Sequence, residues 1–170
     1  VKWSPNGEKF AVASGSKCVP VCHFDPKNNW WISKMIKKHK STVMSLAWHP
    51  DSQLLLTGCA DFKCRIFSAY VDEVDEPFDG LFGDLSGSFA DLLADFDTSL
   101  GWVESVAWSP SGQSLAFSGH DSSLSIVTFN GRATDEAPTA QNLKLAGKPL
   151  LSIAFLTNEV IVGAGHAFNP

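Results

Sequence analysis

One pattern recurs four times along this chain and limits what it can fold into. The stretches "VKWSPNGEKFAVASGS" from Val1, "VMSLAWHPDSQLLLTGCAD" from Val43, "VESVAWSPSGQSLAFSGHD" from Val103 and "LLSIAFLTNEVIVGAGH" from Leu150 align with one another. Each begins with a short apolar strand ending in Trp or Phe. A polar turn follows, then a second apolar strand that ends in small residues and Gly. Three of the turns, "SPNG", "HPDS" and "SPSG", place Pro second, where its fixed φ suits a type I turn. Asn, Asp, Ser or Gly then fill the corner. The fourth, "LTNE", lacks the Pro and is looser.

The aromatic that closes each first strand sets the period. Trp3, Trp48, Trp108 and Phe155 are separated by 45, 60 and 47 residues. Units of about 40–45 residues, each with several short strands, are the signature of propeller blades. In "VMSLAW", alternation sends Met44, Leu46 and Trp48 to one face and Val43, Ser45 and Ala47 to the other. Large apolar residues opposite small ones fit a sheet covered on both faces by neighbouring sheets. The expectation is an all-β chain, a partial propeller of about four blade units.

The long second interval marks an insertion. Residues 71–99 hold nine acids and no Lys or Arg, whereas the whole chain carries a net charge of −5. The remainder is therefore only +4, far less basic than a nucleic-acid-coating protein. Residues 71–88 read as a solvated loop, long enough to be functional or mobile. Beyond it, Phe89, Leu92, Leu93 and Phe96 stand at helical spacing, and Ser88 could cap that helix. The repeat, however, still requires an outer strand before "GWVESVAW", and "FADLLADF" is the one candidate. Strand is preferred, because tertiary context overrides local periodicity, and helix is the alternative.

The longest apolar runs, such as "SIAFL", are too short to span a bilayer. The chain opens on "VKWSP" without Met or a charged-then-apolar leader, so the expectation is an internal piece of a longer protein. Cys18, Cys22, Cys59 and Cys64 lie in or beside apolar strands and read as reduced thiols of an intracellular protein. Zinc is the sharper alternative, but C-x3-C and C-x4-C in extended strands do not match knuckle spacing.

The units resemble WD40 repeats. In that family a His before the first strand, a Ser or Thr in the second, an Asp in the next turn and a Trp ending the third form a hydrogen-bonded set. The second unit supplies His39, Thr57 and Asp61, with Phe67 in the Trp place. Phe has no N–H to donate, so three members are expected to remain. In the third unit Ser118 and Asp121 persist, while Ser99 replaces His and Val127 replaces Trp.

The blocks "NNWWISKMIKKHKSTVMSLAWHP" and "CADFKCRIFSAY", with "GWVESVAWSPSG" and "HDSS", carry a narrower resemblance. In one colinear order over residues 1–170 they are similar to the WD-repeat subunit, subunit 1, of the actin-related protein 2/3 complex. The resemblance implies a seven-bladed ring of which this chain holds most of blades three to five and the start of blade six. It implies a non-catalytic scaffold in the cytoplasm and actin cytoskeleton, supporting branched filament assembly without a cofactor. Its partners would be the other subunits and, through the assembled complex, actin filaments. The acidic tails of regulators would be further partners; nucleic acid and membrane would not.

Candidate contacts follow from residue type. Lys34, Lys37, Lys38 and Lys40 form a basic stretch ending the outer strand of the first unit, and Lys63 and Arg65 follow on another strand. The bland reading is a solvated face; the sharp one is a contact for an acidic partner. Trp30 and Trp31 must face opposite ways, so one is expected to pack between blades and the other to stand out as an interface anchor. Ser118, His120 and Asp121 are adjacent, but a catalytic triad meets through the fold rather than by adjacency. The alternatives are a WD-repeat adaptor of another intracellular assembly and, more remotely, a hydrolase built on a propeller.

Overall fold

Strands form wherever the repeat places alternating apolar residues, and Pro- and Gly-bearing turns reverse the chain between them. A computed structural model describes residues 1–166 of the chain, and no helix occurs among them. The first sheet runs β1 (Lys2–Trp3), β2 (Lys9–Ala11), β3 (Val19–Asp25) and β4 (Trp30–Ile36). The second begins with β5 (Val43–Trp48), β6 (Leu54–Cys59) and β7 (Cys64–Ser68). The chain then makes a small hairpin, β8 (Asp79–Gly80) and β9 (Gly83–Asp84), and returns as β10 (Leu92–Phe96) against β7. The third sheet is β11 (Val103–Trp108), β12 (Ser114–Gly119), β13 (Ser123–Thr128) and β14 (Thr139–Lys144). β15 (Leu150–Phe155) and β16 (Ile161–Gly165) pair as a final hairpin. Each four-stranded sheet is an antiparallel meander, as a blade requires.

The turns behave as the Pro-containing corners predict. Gly7, Ser52 and Gly112 donate their N–H to the carbonyls of Ser4, His49 and Ser109, three residues back, at 2.9, 2.9 and 3.0 Å. All three have positive φ, 77°, 66° and 76°. A type I turn closed by a left-handed residue matches strand twist, and Gly adopts that conformation without a Cβ penalty.

Packing is face to face. Ala11, Val21, Leu46, Leu55 and Phe67 join the first and second sheets. Leu56, Ile66, Val106, Leu115 and Phe117 join the second and third. Ala107, Ala116 and Leu124 meet Ile153 of the last hairpin. Burying each such Leu, Ile or Phe contributes about 1.5–3 kcal/mol. Approach is close at Gly58, where a Cβ would lie 2.8 Å from a Val103 methyl.

Two expectations need correction. In β5, Met44 does not share a face with Leu46: a bulge between Val43 and Ser45 takes up one residue. Val43, Leu46 and Trp48 therefore face the first sheet together, and Met44 is exposed. The same bulge recurs in β11 at Val103–Ser105 and in β15 at Leu150–Ser152. The insertion is also not a solvated loop throughout. Val71, Asp75, Leu81 and Leu85 are buried, and both leucines join the core between the second and third sheets. Leu92–Phe96 is the outer strand, so the helix alternative is excluded.

Candidate interaction surface

The polar set of the second blade is split in two. His39 Nε2 lies 3.0 Å from Thr57 Oγ1, whereas His39 Nδ1, also buried, meets no partner. Phe67 packs its ring against the imidazole, centroids 5.1 Å apart, filling the Trp place by contact alone. Asp61 turns away to pair with Arg65 at 2.9 Å and to accept the Lys40 N–H at 3.1 Å. The expected three-membered set is thus a His–Thr pair beside a separate Asp–Arg pair. Arg65 is the physical reason: a buried guanidinium demands a carboxylate. Burial and the Arg65 charge push the His39 pKa down to about 4, so the ring is neutral at pH 7.

In the third blade Ser118 is fully buried, and its hydroxyl has no partner. Ser99, in the His place, bonds locally to Gly101 rather than reaching it. Asp121 accepts from Ser123 Oγ at 2.5 Å and from the Leu100 N–H at 3.3 Å. Its carboxyl is held below the usual range against its own partial burial. The neighbouring His120 faces Glu104 at 2.9 Å. Ser118, His120 and Asp121 therefore point into three environments and do not converge.

The basic residues are largely matched from within. Lys34 binds Glu73 at 2.8 Å, Lys38 lies 3.9 Å from Asp91, and Lys63 binds Asp95 at 2.9 Å. Each of those acids belongs to the insertion, a relation that local spacing could not show. Lys37 and Lys40 make no ion pair among the described residues. Arg65 departs from the expected role of surface contact, being only 3% exposed and enclosed by Asp61 and Asp95.

Trp30 is 70% exposed at the tip of β4, as an anchor would be. Trp31 lies on the face of the first sheet turned away from the second, 46% exposed among the described residues, and meets Trp3, Phe10 and Phe24 at centroid distances of 5.2–6.1 Å. All four cysteines are free thiols; Cys59 and Cys64 are buried, and burial raises Cys64 well above its ordinary range.

Sequence reasoning overlooked a stitch between blades. The Val106 N–H donates to Ser45 Oγ at 3.2 Å, and the Ile153 N–H to Ser105 Oγ at 3.1 Å. The third residue of "VMSLAW", "VESVAW" and "LLSIAF" is Ser each time, which is the signal that could have revealed it. It also overlooked the buried pair of Lys9 on β2 with Asp75 in the insertion.

Comparison with known proteins gives a consistent picture. A WD domain, G-beta repeat, is matched at residues 30–68 and 91–127. The whole chain aligns with the actin-related protein 2/3 complex subunit 1A of Arabidopsis thaliana at 39% identity. It aligns as fully with subunit 1A-B of Xenopus laevis at 44% and with subunit 1 of Schizosaccharomyces pombe at 42%. The chain spans 44–45% of the length of these relatives. A chain in the crystal structure of a mitotic checkpoint complex superposes with a TM-score of 0.70 over 98% of this chain and 45% of its own. At 20% identity, that likeness speaks to fold alone.

Proposed function

From an all-β chain that carries WD40 repeats and resembles, end to end, subunit 1 of the actin-related protein 2/3 complex, we propose a non-catalytic scaffold subunit of that complex. It supports branched actin filament assembly through protein–protein contacts, in the cytoplasm and at the actin cytoskeleton. The observation that carries the reading is the alignment of the whole chain with relatives of that one name from plant, frog and yeast.

Its partners are the other subunits and, through the assembled complex, actin filaments. Trp30, Lys37 and Lys40 are the best-placed contacts, being exposed and uncommitted to an ion pair. Acidic regulator tails would have to compete with Glu73, Asp91 and Asp95 for the remaining lysines. The test is to tag the full-length protein in its own cells and identify what co-purifies. Two actin-related proteins with a fixed set of small subunits are expected. Recovery of a different assembly leaves the propeller and removes the actin role.

A further inference from the structure

We propose that the cleft in which the turns of the first two blades meet the insertion receives an arginine side chain, carried on an extended segment of a partner protein. The cleft has a volume of about 440 Å³, and Glu8, Asp51, Gln53, Asp75, Glu76 and Phe78 line it. Among the described residues no Lys or Arg does so. Two of its carboxylates are committed from within. Asp75 pairs with Lys9, and Asp51 meets the His49 ring and accepts the N–H groups of Gln53 and Leu54. Glu8 and Glu76 are exposed and make no ion pair among the described residues.

Independently of charge, Gln53 calls for a donor. It is only 6% exposed, and its amide nitrogen is spent on the Glu76 carbonyl at 2.8 Å. Its amide oxygen accepts no hydrogen bond among the described residues, yet it is not sealed from solvent. Whatever fills the cleft should supply that donor. Phe78, 54% exposed, adds an aromatic wall, and its ring lies close against Gly80, whose N–H donates to the Phe78 carbonyl at 3.1 Å. Across Phe78 and Asp51 the cleft continues into a second of about 400 Å³, lined also by Pro50, Leu81, Ser111 and Gln113. Arg132 in that part is already matched by Asp79. Both parts lie where turns meet the insertion, not on the outward face of the first sheet or of the last hairpin.

That combination selects one chemistry. A guanidinium carries a planar fork of N–H donors, enough to reach the Gln53 oxygen and the Glu76 carboxylate together while its plane lies against Phe78. An ammonium brings the charge without the plane. An anion is repelled by the carboxylates, and a neutral side chain leaves Glu8 and Glu76 unmatched. The second part, with Pro50, Leu81 and Phe78, suits a hydrocarbon side chain. In an extended segment residues two apart point the same way, so Arg-x-Leu spans both parts. Two adjoining recesses fit a peptide better than a free amine. The site is separate from the Lys37–Lys40 stretch, and its argument does not rest on the actin-complex reading.

The test uses the full-length protein carrying para-fluorophenylalanine, followed by fluorine NMR, with the Phe78 signal identified by its loss in Phe78→Leu. The peptide acetyl-Ala-Arg-Ala-Leu-Ala-amide should move that signal saturably in the millimolar range. The isosteric citrulline peptide should leave it in place, and acetyl-arginine-amide should bind about threefold or more weakly for want of the Leu. Glu8→Gln and Glu76→Gln should each weaken peptide binding about two- to fivefold, the worth of one exposed carboxylate. Both residues are at the surface, and the fold should tolerate the changes. A Phe78 signal that never moves overturns the proposal. So does equal binding of the citrulline peptide, or unchanged affinity in both variants. Acetyl-arginine-amide binding as tightly as the peptide overturns the extended segment as its source.

Discussion

Replacing Lys9 with Met tests how the insertion is fixed to the body of the molecule. Lys9 is fully buried. Its ammonium pairs with Asp75, donates to the Ala69 carbonyl at 2.9 Å and stands 5.4 Å from the centre of the Trp48 ring. Asp75 in turn accepts the Val71 N–H at 2.7 Å, and its own carbonyl accepts the Tyr70 hydroxyl at 3.0 Å. Burial pushes the Lys9 pKa down although Asp75 pulls it up, so desolvation is the dominant cost at this site. Methionine keeps most of the packing volume and removes the charge. What remains is a buried carboxylate with no cation, a loss of about 3–5 kcal/mol.

For a chain of this size, about 2–4 °C of melting temperature goes with each kcal/mol, so Lys9→Met should lower Tm by roughly 6–20 °C. The cycle partner is Lys9→Met with Asp75→Asn. Asn keeps an acceptor for the Val71 N–H without the charge, so the double variant should regain more than half of the loss. Urea unfolding supplies the free energies, and amide exchange over residues 71–76 locates the loosening. A Lys9→Met loss below about 1 kcal/mol, or a double variant no better than the single, would refute the reasoning.

Acid should weaken the second blade through His39. Its folded pKa of about 4 lies below the ordinary 6.5, so the unfolded chain binds the proton first. Stability is complete above pH 6.5 and falls by up to about 3 kcal/mol toward pH 4, nearer 2 after solvent screening. Urea midpoints measured across that window should flatten in His39→Gln. Ser45→Ala leaves the Val106 N–H unpaired and should cost about 1–2 kcal/mol by urea unfolding, with Ser105→Ala matching it at Ile153. Gly112→Ala places a Cβ 2.1 Å from His49 Nε2 at positive φ, whereas Gly7→Ala meets nothing within 4 Å. Thermal melts should show about 1–2 kcal/mol lost at Gly7, the left-handed backbone cost, and at least twice that at Gly112.

The repeats and their corners could be read from the sequence because they depend on neighbours in the chain. Pro5, Pro50 and Pro110 set their turns locally, and the β-strands follow from apolar alternation. The bulges could not be read, since a bulge is defined by the register of a partner strand. In the insertion, the acids suggested solvation over residues 71–88, where Val71, Asp75, Leu81 and Leu85 are buried, and helical spacing offered only an alternative to the outer strand that the repeat required. Both signals are local, whereas the deciding partners lie far along the chain: Lys9 for Asp75, and β7 for β10. Phe89 packs with the core between the first and second sheets, Leu93 and Phe96 with that between the second and third, and Leu92 is exposed. One helical stripe has become contacts to two cores.

The weakened polar set explains why such distant contacts matter here. A complete set would tie the His, the Ser or Thr, the Asp and the Trp of a blade into one network. In the second blade Phe67 supplies contact without a hydrogen bond, and Arg65 draws Asp61 away. In the third, Ser118 is buried with no partner at all. The polar links that span separate parts of the chain are the Ser45 and Ser105 stitches between blades and the Lys9–Asp75 anchor across sheets. Those links join separate blades. Disrupting one should therefore loosen a blade interface before it loosens a blade, an order of events that amide exchange can resolve.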